Sequence, residues 1–357
     1  MATLERLVGV PASRYPDLAS IVDGDTLRRA ARNTIFGSAP DAGPCLIVAL
    51  PDVAEDDPRV VRDLMNAGMI CARIDCARGD AARWCEMIVN IRIAERELGR
   101  SCQIMMDFAR RRVACDPPDV ARRLALGDRL RINDGRITAQ VAARSEDDVH
   151  LEVAAARPKG EKIKPGRSVR RPGANLPASG RDDDDALDFV AKNADIVGHS
   201  LLNGAQDVSN LQQRLSLRRG GRPPMSLVLA VETPRAFANL ADILVQASSV
   251  QPTAVLICDA AIAIECGPDR LGDLREEAFA LCRAASVPAI WASAGVDNLT
   301  REGVAAAPEA ASAIAGRRFD ALAIDSGPCI LEATQFIRDL FSAPVRNGHS
   351  SVLPPAA

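Results

Sequence analysis

Eight short aliphatic runs, each followed by a stretch whose apolar residues recur at helical spacing, constrain this chain more than any other feature. The runs are CLIVAL (45–50), MICARI (69–74), CQIMMD (102–107), DIVGHS (195–200), SLVLAVE (226–232), TAVLIC (253–258), VPAIWA (287–292) and DALAID (320–325). Near-continuous apolar strands suit a parallel sheet covered on both faces. Helices expected over 80–99 and 234–247 would supply crossovers between them. Eight such units favour a closed (β/α)8 barrel over an open sheet, and a hydrophobic fraction of 47% in 357 residues is ample for its core.

The pattern is broken once, between the third and fourth runs. There LGDRLRIND, GRITAQVAAR and DDVHLEVAAA alternate apolar and polar residues at period two, with a hairpin signal at Asn133-Asp134-Gly135. The expectation is an α/β protein: a TIM barrel of residues 41–114 and 181–345, with a small antiparallel β-barrel domain, 115–180, inserted after strand 3. The basic, proline-bearing stretch ending in PGANLP reads as the return hinge. The aspartates at 182–185 read as the start of a helix, whose dipole favours negative charge there. Residues 1–40, with Leu4, Leu7, Val8, Ile21 and Leu27, read as a helical N-terminal extension, and 346–357 as a disordered tail.

Composition excludes several function classes. A net charge of −3 and a pI of about 5.8 provide no electrostatic footprint for nucleic acid. Aromatics at 3% leave no platform for stacking bases. No window reaches the roughly 18 apolar residues of a membrane span, and no basic segment precedes an apolar run at the N-terminus, so a cytoplasmic location without a membrane partner is expected. Ten cysteines occur without a CxxC pair and beside only three histidines, which favours small core residues over a zinc site or a disulfide framework.

In barrels of this kind chemistry sits at the carboxyl ends of the strands. Those positions carry Arg73, Asp75, Asp107, His199, Ser200, Glu232, Asp259, Ser293, Asp325 and Ser326. His199 reads as a hydrogen-bonded structural residue, Trp84 and Trp291 as packing residues, and Cys258 as a poor nucleophile with Asp259 beside it. Ser326-Gly327-Pro328 is expected to open the last helix, with N–H groups that an anion could use.

Longer segments carry a resemblance. GMICARIDCARGD followed by IVNIRIAERELGRSCQIMMDFA resembles the second and third strands of pyruvate kinases. PGANLP, ADIVGHSLLNGAQDV, LAVETPRAFANLADIL, VPAIWAS and SGPCILEATQFIRDLF resemble later segments of the same family, so the likeness spans about residues 45–342. The family's C-terminal allosteric domain is not expected, because the chain stops soon after the eighth helix.

The resemblance implies a small-molecule partner such as phosphoenolpyruvate, pyruvate or a nucleotide, Mg²⁺ or Mn²⁺ with K⁺ as cofactors, and allows a homo-oligomer. It assigns Arg73 to the neighbourhood of the transferred phosphate, Asp107 to the monovalent cation, Glu232 to the divalent metal, and Ser200 and Ser293 to the substrate. Asp75, taken with Asp107 as a metal ligand, stands where the family has asparagine, and Ala77 where it has serine. Three departures cut deeper: Ala230 replaces the catalytic lysine, Ala261 replaces the second metal aspartate, and Arg110-Arg111-Arg112 replaces the GPK segment. On a strand, Asp259 would share a face with position 261 and so stands as a substitute metal ligand. Two readings remain: a pyruvate-kinase-like protein impaired in phosphoryl transfer from phosphoenolpyruvate to ADP, with a partial ligand pocket, or an active metal-dependent enzyme on phosphoenolpyruvate or related 2-oxo acids.

Overall fold

The computed structural model describes residues 18–37, 43–76, 78–108, 124–132, 137–145, 149–156, 169–170, 183–200, 202–292, 296–305 and 307–342. Three strands come first, β1 (Cys45–Ala49), β2 (Met69–Asp75) and β3 (Gln103–Phe108). Four follow in the insertion, β4 (Arg129–Ile132), β5 (Ile137–Arg144), β6 (Val149–Ala155) and β7 (Val169–Arg170). The chain then continues through β8 (Ile196–His199), β9 (Ser226–Val231), β10 (Thr253–Cys258), β11 (Ala289–Ala292) and β12 (Ala321–Ile324). Strands β1, β2, β3 and β8 to β12 pair in parallel and close into a barrel, with β12 returning to β1. All eight aliphatic runs are barrel strands.

Alternation explains why those runs are apolar on both faces. One set of residues points into the barrel: Ile47, Met105, Ile196, Val228, Ala230 and Ala323 belong to a single lumen cluster. Their sequence neighbours Val48, Met106, Val197, Leu229, Val231 and Ile324 belong to the layer between strands and helices. Successive side chains of a strand point to opposite faces, so each strand feeds two cores.

The helices obey local rules. Ala81–Leu98 starts where the Asp80 carboxylate accepts the N–H groups of Ala82 and Arg83, both at 3.1 Å, and stops at Gly99 with φ 62°. The single helix expected over 234–247 is instead two, Pro234–Ala238 and Leu240–Ser248. Asn239 leaves helical geometry between them while its side-chain N–H donates to the Asn203 carbonyl at 2.7 Å. Among the described residues no helix is long and apolar enough to cross a membrane.

The amino end of the barrel is closed from outside the sheet. Helix Leu18–Phe36 inserts Ile35 and Phe36 into the lumen cluster, where they are buried. Arg28 on the same helix pairs with Asp320, just before β12, and Asp320 accepts the Ala289 N–H at 2.9 Å. Leu27, an apolar candidate in the sequence, is 61% exposed.

The insertion contains a four-stranded antiparallel sheet in the order β6-β5-β4-β7. Leu130, Ile132, Ile137, Ala139 and Val141 form a core of their own. Residues 1–17, Asn133-Asp134-Gly135, the PGANLP segment and 346–357 lie outside the described residues.

Candidate functional site

The inward parity of each strand, carried to its carboxyl end, selects the side chains that ring the barrel mouth. Arg73 and Asp75 lie two residues apart on β2, and Asp75 is paired in register with Asp107 on β3. Asp107 is in turn paired with Gly198 on β8. Glu232 follows β9, Cys258 ends β10, and Asp325 follows β12.

Arg73 is the centre of this ring. Its Nε and Nη2 donate to Oδ2 of Asp107 at 2.9 and 2.8 Å, and its Nη1 donates to Oδ1 of Asp325 at 2.9 Å. The two carboxylates differ in setting: the Asp107 side chain is 4% exposed and that of Asp325 60%. Burial by itself would lower the pKa of Arg73, but the charges of Asp107, Asp325 and Asp75 outweigh it and hold the guanidinium above its ordinary value. Arg73 stays protonated at any working pH. Asp75 itself lies 3.5 Å from Arg78.

Gly198 is required by this arrangement. A Cβ at that position would stand 2.7 Å from Met105 Cε, 3.0 Å from Asp107 Oδ1 and 3.2 Å from Asp107 Cα. His199, one residue on, is buried, and alternation turns it away from the lumen. Ser200 is half-buried at the mouth. Ser293, Ala77 and Arg110-Arg111-Arg112 lie outside the described residues.

Glu232 is half-buried, and the next residue fixes its segment. Thr233 Oγ1 accepts the Ala236 N–H at 3.0 Å and donates to the Leu202 carbonyl at 2.9 Å, which ties the β9 exit to the β8 exit. Glu232 is close enough to Cys258 to act on it. Burial first, then the Glu232 charge, push that thiol up to about 12, while Asp325 adds to the rise and Arg73 opposes it. Cys258 is therefore no nucleophile near neutrality.

Asp259 has a different setting from the one expected. Strand β10 ends at Cys258, and Asp259 is the first residue of helix Asp259–Glu265. The two-residue period of a strand therefore does not relate Asp259 to Ala261, which is buried in that helix. The Asp259 carboxylate instead accepts from Arg275 Nη1 at 2.9 Å, and the Arg275 guanidinium lies 5.3 Å from the Trp291 ring centroid. Trp291 belongs to the helix–strand layer and stacks on Phe319 at 5.3 Å. Burial raises the pKa of Asp259 even against the nearby Arg275 charge.

Two features of the mouth escaped the sequence. Asp325 stood among the strand-end residues without a partner, and Gly198 was not singled out. Both signals were present as parity: Asp325 follows the lumen residue Ala323 by two, and Gly198 follows Ile196 by two. The last helix also begins later than expected, at Ile330, two residues beyond Pro328. The Cys329 N–H there is already given to the Thr300 carbonyl at 2.9 Å.

A family model of the pyruvate kinase barrel domain matches residues 108–316, more than half of the 357 residues. The chain belongs to the pyruvate kinase family. It is similar to a pyruvate kinase of Agrobacterium vitis, 24% identical over 310 residues that cover 77% of this chain and 62% of that protein. A pyruvate kinase of Mycobacterium intracellulare is 22% identical over 288 residues, 71% of this chain and 58% of that protein. One of Geobacillus stearothermophilus is 21% identical over 291 residues, 72% of this chain and 48% of that protein. The chain thus spans about three-fifths or less of the length of these curated relatives.

Pyruvate kinases bind small-molecule substrates and generally use Mg²⁺ and K⁺. Among the described residues, the side chains at this mouth do not match that demand. A hard divalent cation needs several oxygen ligands converging on one point, and among the described residues no group of three His, Cys, Asp or Glu side chains is so arranged. Position 261 is alanine, Asp259 is engaged with Arg275, and Asp107 holds Arg73.

Proposed function

We propose that this chain is a pyruvate-kinase-like binding protein: its mouth retains an anion-binding arginine, Arg73, while phosphoryl transfer from phosphoenolpyruvate to ADP is impaired. The observation that carries the reading is Ala230. It is 2% exposed and packs in the apolar lumen cluster beside Val228, Leu256, Ala292 and Ala323. The resemblance assigns a lysine to this position, where the chain has an alanine among apolar residues of the lumen cluster.

Phosphoryl transfer is catalysed almost wholly by positioning and by cations that offset charge on the transferring group. Removing a lysine and one metal carboxylate removes several kcal/mol of that stabilisation, about the scale at which rates fall by 10³ or more. What the mouth keeps is recognition. A guanidinium suits a carboxylate or a phosphate, and Arg73 is held in place by a buried partner. The ligand class this supports is a small phosphate- or carboxylate-bearing acid of the phosphoenolpyruvate or pyruvate kind.

The test is a coupled pyruvate-formation assay on the intact chain with phosphoenolpyruvate, ADP, Mg²⁺ and K⁺. Turnover is expected to stay at least about 10³-fold below that of an active pyruvate kinase assayed alongside. Robust turnover that disappears in Glu232→Ala overturns the reading.

A further inference from the structure

We propose that Asp325 is a built-in competitor for Arg73: its carboxylate occupies the side of the guanidinium that faces the open mouth, and an incoming phosphate or carboxylate must displace it. This inference rests on the reading of Arg73 as the anion-binding residue of the mouth.

The division of donors carries the argument. Nε and Nη2 are committed to Asp107, which is buried at 3% exposure. Taking that carboxylate away would strand a charge in a poorly solvated place, so the pair fixes the guanidinium rather than opening to a ligand. Nη1 alone reaches Asp325, whose side chain is 60% exposed. An exposed carboxylate regains water when it lets go, so its contact is weak and exchangeable. Of the two acids on Arg73, only Asp325 can yield.

The backbone around Asp325 shows which part moves. Gly327 lies hard against the neighbouring element, where a Cβ would come 2.4 Å from the Thr300 carbonyl oxygen. The Cys329 N–H donates to that same oxygen, and the Ile330 N–H donates to the Gly327 carbonyl at 3.2 Å. The segment after Asp325 is therefore pinned, and release of Arg73 is a swing of the Asp325 side chain. No covalent step is involved.

Charge requires exchange rather than addition. Arg73 already faces Asp107 and Asp325, with Asp75 within electrostatic reach. A further anion beside these carboxylates would be repelled, whereas one that replaces Asp325 meets the same guanidinium face.

The experiment is a calorimetric titration of the intact chain with inorganic phosphate and, separately, phosphoenolpyruvate at fixed ionic strength, for wild type, Asp325→Asn, Asp325→Ala, Asp325→Glu and Arg73→Met. Both neutral variants at 325 are expected to bind phosphate about tenfold more tightly than wild type, Asp325→Glu to bind as wild type does, and Arg73→Met to bind neither anion. If wild type binds, Arg73→Met does not, and the neutral variants gain nothing, competition by Asp325 is overturned while the anion site stands. If no variant binds either anion at millimolar concentration, the anion-site reading falls and this inference with it.

Discussion

Asp107 meets Arg73 through one carboxylate oxygen and borders Gly198 through the other. A methyl group at 198 would press on both the Asp107 side chain and its α-carbon, and on Met105. Because one of those contacts is backbone, rotation of a flexible side chain does not relieve it. Gly198→Ala is expected to destabilise the fold by about 1–3 kcal/mol, the usual range for overpacking, and to weaken phosphate binding through the misplaced Arg73. Urea denaturation and titration measure the two effects; an unchanged affinity would show that Asp107 does not orient the arginine. At this scale the sequence was partly legible. The placement of Arg73, Asp107 and Glu232 at the carboxyl ends of β2, β3 and β9 followed from the strand pattern. The contact between Arg73 and Asp325 joins residues 252 apart and depends on the closure of β12 onto β1, the strand beside β2, which no local pattern records. The shared strand face expected for Asp259 and position 261 does not exist, because the switch from strand to helix falls at Cys258, whose side chain makes no cap hydrogen bond.

Helix Leu18–Phe36 shows the same limit at the scale of an element. Its helical character was legible; its purpose was not, because the residues that pack are Ile35 and Phe36 at its last turn rather than the exposed Leu27. These two side chains fill the amino end of a lumen whose cluster mixes small residues such as Cys45, Cys71, Ala254 and Ala321 with large ones such as Ile47, Met105 and Ile196, all already packed. A buried phenylalanine cut to alanine leaves a cavity that such a wall cannot collapse into. Phe36→Ala is therefore expected to cost about 3–5 kcal/mol of stability, read as a lowered denaturation midpoint. A loss below about 1 kcal/mol would mean that the helix does not plug the barrel. The division of the expected 234–247 helix at Asn239 has a similar origin, since the side chain that leaves the helix binds a carbonyl in the preceding loop.

Across the whole molecule, two concentric apolar layers bury several thiols in their protonated form. Burial pushes Cys45, Cys102 and Cys258 up to about 12, and raises Cys71 and Cys282 as well. A thiol in an unfolded chain ionises at about 8.5, so these groups add stability that is fully present below that pH and is lost as pH rises towards their folded values. With four lysines and one tyrosine in the chain, few other groups titrate in that window. The urea midpoint is expected to fall between pH 8 and pH 10.5; a flat midpoint would contradict the burial of ionisable thiols in both layers. The eightfold pattern that produces these layers was legible because each strand must be apolar on both faces, a demand visible in every run. The floor of the barrel has a further consequence, in time rather than in energy. Arg28 and Asp320 are 292 residues apart, so this contact forms only once the chain just before β12 has been brought back to the first described helix. Contacts of such long separation form late, after the loop-closure entropy between them has been overcome. The Phe36→Ala lesion should accordingly appear as faster unfolding with little change in the folding rate, which makes the floor the latch that sets how long the closed barrel lasts.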